Sequence, residues 1–111
     1  MTREAERSLW LHLGVAGRLV LDPDAVVRTA RDNLTRMRSV HPDGMSAAWL
    51  AHWAEIVDRG GDATLDILTF RSLHAVELRQ NSPFAGVLTD DERTRAMNAF
   101  RTHWRRDHTA A

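Results

Sequence analysis

The apolar residues of this chain recur at intervals of three and four, and nowhere do they alternate for long with polar ones. A period near 3.6 turns one side of a helix toward a core, whereas a half-buried strand needs a period of two. The one Asp-Gly pair, Asp43-Gly44, lies between two helical patterns and so does not mark a hairpin. The expected fold is therefore all-α, a compact bundle of five or six short-to-medium helices.

Six segments carry the pattern. In the first, 3–21, Leu9, Leu13, Ala16 and Val20 form a stripe that Trp10 and Leu19 widen. Gly14 and Gly17 weaken that helix by roughly 1 kcal/mol each relative to Ala and leave room for a second helix to come close. Asp22-Pro23 is a start signal, with Asp as cap and Pro at the first helical position. The second helix, 23–40, turns Val26, Val27, Ala30, Leu34 and Met37 inward and carries Arg28, Arg31, Thr35 and Arg38 on another face. His41-Pro42-Asp43-Gly44 is a turn by composition. The third helix, 46–59, has Met45, Trp49, Trp53 and Ile56 as its stripe, joined by Leu50 and Val57, and Gly60-Gly61 ends it. Asp62 is placed to cap a fourth helix, 63–70, and Thr69 or Ser72 a fifth, 73–80. Residues 81–86 are the longest irregular stretch. Thr89 and Glu92, three apart, form a capping box for the sixth helix, 90–107, with Met97, Phe100 and Trp104 as its stripe. Residues 1–111 read as a single helical domain with 108–111 as a frayed tail.

Charge and composition narrow the function. Fifteen positive residues, all Arg, balance fifteen acids. A DNA-binding domain usually shows a basic surplus, so nucleic-acid binding here needs a local patch. There is no Cys, which removes disulfides, thiolate metal sites and a Cys nucleophile, and fits a reducing cytosol. The apolar stretch 9–21 is interrupted by His12, Gly14, Gly17 and Arg18 and is too short to span a bilayer. A cytoplasmic protein with no membrane partner is expected.

The chemistry-bearing patterns are weak. His52 with Glu55, and His74 with Glu77, place imidazole and carboxylate one turn apart on two helices. Di-iron bundles use the opposite order, Glu-x-x-His, with two further Glu, so no metal is expected. His103 and Asp107 read as a solvated pair at a helix end. Ser8, Ser39, Ser46, Ser72 and Ser82 lie in no Gly-x-Ser-x-Gly elbow, and no phosphate-cradling loop precedes a Lys. Neither a catalytic residue nor a cofactor is assigned, and the chain reads as a non-enzyme.

Helices four and five with Thr69-Phe70-Arg71-Ser72 between them have helix-turn-helix proportions. In that reading Arg71, His74, Arg79, Gln80 and Asn81 are the DNA contacts. The turn lacks the Gly such motifs often carry. The Arg face of the second helix and the run Arg101, Arg105, Arg106 are ordinary solvated faces unless phosphate meets them. Protein binding has a different signal. Leu9, Trp10, Leu11 and Leu13 cannot all point inward, so part of the first helix is available to a partner or to a second copy in a homodimer.

The segment 76–88, Val-Glu-Leu-Arg-Gln-Asn-Ser-Pro-Phe-Ala-Gly-Val-Leu, resembles a group of short helical actinobacterial proteins. They share an opening like Ser8-Leu9-Trp10-Leu11-His12, a following Asp22-Pro23, a Trp-rich middle helix and an ending like Phe100-Arg101-x-x-Trp104. The resemblance runs from about Arg7 to Arg106. Such proteins look like antitoxin or regulatory partners in toxin–antitoxin systems. The resemblance implies stoichiometric neutralisation of a toxin by direct binding. Arg79, Gln80, Asn81, Ser82, Pro83, Phe84 and Gly86 are then the expected contact surface, since Arg and aromatic side chains make good anchors. The alternative is a loop that folds Phe84 back into the core.

Overall fold

The computed structural model describes residues 1–108 of the chain. Among these residues it has six α-helices and no strand: α1 (Arg3–Leu21), α2 (Pro23–Val40), α3 (Gly44–Arg59), α4 (Gly61–Thr69), α5 (Leu73–Arg79) and α6 (Asp90–His108). Most of the expected tail, 109–111, lies outside the described residues. His108 itself is the last residue of α6, its ring stacked on Trp104 at 3.6 Å and its Nδ1 2.9 Å from the Trp104 carbonyl.

Side chains close the free N–H groups at four helix starts. Thr2 Oγ1 accepts from the Ala5 N–H, Asp22 from Ala25 and Ser72 from Ala75. Thr89 and Glu92 exchange bonds of 2.9 and 3.1 Å, the expected capping box. Two starts lie two residues earlier than expected. Helix α3 begins at Gly44, and α4 begins at Gly61 with Gly60 rather than Asp62 in the cap position. Gly60, at φ 113°, has a backbone conformation that side-chain-bearing residues rarely adopt, and so joins α3 to α4 without a linker.

Helix α1 is the strut of the bundle and touches α2, α4, α5 and α6, while α3 packs on α2 and α4. The core joins Val15, Ala16 and Leu19 of α1 to Val26, Ala30 and Leu34 of α2, Leu50, Trp53, Ile56 and Val57 of α3, Leu68, Leu78 and Phe84. Trp53 is wholly buried and donates its indole N–H to the Leu78 carbonyl at 2.7 Å, so its polar edge is satisfied.

The buried stripe of α1 differs from the expected one. It comprises Ala5, Glu6, Leu9, His12, Val15, Ala16 and Leu19, while Leu13 and Val20 are exposed to 41% and 68%. Both patterns obey three-four spacing and share positions 9, 16 and 19. Hydropathy favours Leu at the contested position, but His12 takes it because its ring finds hydrogen-bond partners inside. Met45, expected in the α3 stripe, is 73% exposed because it stands in the first turn at the end of the bundle. Gly14 gives room to the Leu88 side chain, 3.2 Å from where a Cβ would sit, and not to a helix.

Candidate functional site

The connection from α5 to α6 is held from three sides. Asn33 of α2 donates from Nδ2 to the carbonyls of Pro83 and Ala85, both at 2.8 Å, and accepts at Oδ1 from Arg36. Phe84 stands edge-on to Trp53 with ring centroids 5.1 Å apart. His12 of α1 reaches Ser82 Oγ with Nε2 at 2.7 Å. The two segments that carry the resemblance, around Ser8–His12 and around Ser82–Phe84, thus form one hydrogen-bonded cluster.

The hydrogen-bond roles of His12 follow from its partners. Its Nδ1 lies 2.6 Å from the Ser8 carbonyl, which only accepts, so Nδ1 carries the proton. Nε2 is then a lone pair facing the Ser82 hydroxyl, and Ser82 Oγ in turn accepts from the Phe84 N–H at 3.3 Å. Burial pushes the imidazole pKa down to about 4, with the nearby Arg79 guanidinium acting in the same direction and the Ser8 carbonyl opposing. The ring is neutral at pH 7. Beside this pair lies a mainly apolar cavity of about 210 Å³ walled by Leu11, Val15, Phe84 and Leu88, with Arg93 also lining it.

These positions revise the expected contact surface. Arg79, Pro83 and Phe84 are buried, Asn81 and Ser82 are half-buried, and only Gln80 and Gly86 are exposed. The anchors expected of an interface instead hold the loop down. Arg79 donates from Nη1 to the Ile67 and Phe70 carbonyls at 2.8 and 2.7 Å, where a cation complements the C-terminal end of α4. Its Nε and Nη2 are buried without a hydrogen-bond partner, and desolvation, aided by the like charge of Arg71, lowers its pKa.

The DNA reading loses two of its five side chains in the same way. Arg79 is buried, and Arg71 is committed to Glu6 by bonds of 3.1 and 3.3 Å. His74 and Gln80 remain exposed and Asn81 half-buried, on an α5 of only seven residues. Glu6 itself is buried. Burial alone would raise its pKa, but the Arg71 guanidinium and the Trp10 indole hold the carboxyl below its usual value. The Trp10 N–H makes no well-formed hydrogen bond there.

His52 and His74, drawn from the two imidazole–carboxylate pairs, do meet, with ring centroids 4.8 Å apart and Trp49 beside His74. Among the described residues no three His, Cys, Asp or Glu gather closely enough to hold a metal ion. No helix of the described residues is long and apolar enough to cross a membrane.

An exposed apolar surface near these groups lies at the corner between α4 and α5. Phe70 and Leu73 are 51% and 73% exposed, and Met1, at the start of α1, is 51% exposed. Met1, Leu73 and Val76 line a groove of about 450 Å³ whose polar edge is Thr2, Arg71, Glu77 and Gln80. Hydropathy puts Phe70 at the end of one helix and Leu73 at the start of the next, which does not by itself mark either as exposed. The sequence signal was two large apolar residues flanking Arg71-Ser72 at a turn, where polar residues are the norm.

Comparison with known proteins finds no match for this chain among family models, curated proteins or solved structures.

Proposed function

We propose that the protein is a non-catalytic, antitoxin-like binding module that neutralises a cytoplasmic toxin by direct contact, and that it docks through the α4–α5 corner. The observation that supports this is the pairing of Phe70 and Leu73, two large apolar side chains left in solvent at a fixed turn beside a groove. Exposed aliphatic and aromatic side chains at a rigid corner lose little conformational freedom on binding and bury well in a partner. The resemblance to antitoxins supports the class of partner, and the burial of Arg79, Pro83 and Phe84 favours the corner over the loop beside it as the contact.

The test is capture from the source cells with the tagged chain, after nuclease treatment. The reading requires a protein held near one-to-one by the wild type and lost by Leu73→Asp. That protein must arrest growth when expressed alone and be harmless when the chain is co-expressed. A second reading, a small helix-turn-helix-type DNA-binding regulator, is supported by the short Phe70–Ser72 turn between α4 and α5 and by exposed His74 and Gln80. It requires binding that falls steeply with salt, because phosphate contacts release counterions.

A further inference from the structure

We propose that Ser82 is a covalent modification site that accepts a short acyl group from an activated donor such as an acyl thioester, the acyl chain lodging in the cavity beside it. The inference goes beyond the binding-module reading and does not rest on it.

The geometry supplies what a reactive hydroxyl needs. Ser82 Oγ stands 2.7 Å from the unprotonated Nε2 of His12, and the Ser8 carbonyl, 2.6 Å from Nδ1, fixes that tautomer and orients the ring. This is the nucleophile, base and orienter arrangement with a main-chain carbonyl in the place of a carboxylate. Both side chains line the same cavity, whose other walls are mostly hydrocarbon from Leu11, Val15 and Leu88. Its volume of about 210 Å³ is room enough for a short acyl chain to lie against those walls.

In the reaction Ser82 Oγ attacks the thioester carbonyl, forming a C–O bond. The hydroxyl proton passes to His12 Nε2. The C–S bond breaks, and the departing thiolate takes that proton from the imidazolium. The products are acyl-Ser82 and a free thiol, with no oxidant or reductant involved.

The experiment exposes the whole protein at neutral pH to the butyryl thioester of N-acetylcysteamine, read by intact mass and peptide mapping. We expect one butyryl group per chain, on Ser82 in preference to exposed Ser39, absent in Ser82→Ala and slowed about 100-fold in His12→Gln. A chain-length series on the wild type needs no variant to fold: butyryl should label Ser82 faster than dodecanoyl. Absence of label on Ser82, equal labelling of Ser82 and Ser39, or labelling indifferent to chain length would overturn the proposal.

Discussion

Replacing Phe84 by Ala separates a core residue from an interface anchor. Phe84 is 5% exposed, packs edge-on against the fully buried Trp53 and sits at right angles to His12 with ring centroids 6.3 Å apart. Removing a buried ring of this kind costs about 3–5 kcal/mol, since the lost transfer energy is joined by the hole left behind. A domain of this size has roughly 5–15 kcal/mol to lose, so the variant should fold but sit close to its limit. Urea unfolding followed by far-UV circular dichroism reads the change. With a slope of about 1.5 kcal/mol per molar, a loss of about 4 kcal/mol moves the midpoint down by about 2.7 M. Phe84→Leu, which keeps most of the volume, should lose about 1–1.5 kcal/mol. A loss below about 1 kcal/mol in Phe84→Ala would refute the placement of this ring in the core and return the loop to the list of contact surfaces.

Asn33→Asp should destabilise more than Asn33→Ala, because it sets a carboxylate against the Pro83 and Ala85 carbonyls; Ala alone leaves the buried Pro83 carbonyl unpaired at about 1–3 kcal/mol. Thermal melts of the two variants rank them, and the reverse order would contradict the bonding described. His12 gives a pH signature. Its pKa is about 4 folded against 6.5 unfolded, so the unfolded chain binds the extra proton between those values. Stability is then full above about pH 6.5 and falls by about 3 kcal/mol as the pH drops toward 4. His12→Gln should flatten that slope in denaturant titrations across the same range. Gly17→Ala should raise stability by about 0.5–1 kcal/mol, since a Cβ there meets nothing within 4 Å. A loss would contradict the open space found at Gly17.

The helices were legible because their ends are written in local chemistry. Asp22-Pro23, Ser72 and the Thr89–Glu92 box set starts that the structure keeps, and Gly60 sets a stop. The choice between Leu13 and His12 was not legible, because it turns on Ser82, seventy positions away, and periodicity carries only local information. The same holds for Asn33, whose bonds reach across 50 and 52 positions, and for Glu6 and Arg71. A polar residue at a core position of an otherwise regular stripe was the available sign of such a bond. Arg79 shows the converse error. An arginine at the end of a helix, next to an irregular segment, reads as a surface anchor, yet here its charge closes the end of α4.

The central claim is that the α4–α5 corner, and not the loop beside it, receives a protein partner. The most direct measurement is nuclease-resistant capture by the wild type, by Leu73→Asp and by Gly86→Asn, which alters the exposed tip of the loop while allowing its positive φ. The account predicts one protein held near one-to-one by the wild type and by Gly86→Asn and lost by Leu73→Asp, with all three chains folded. Retention by Leu73→Asp together with loss by Gly86→Asn would contradict it.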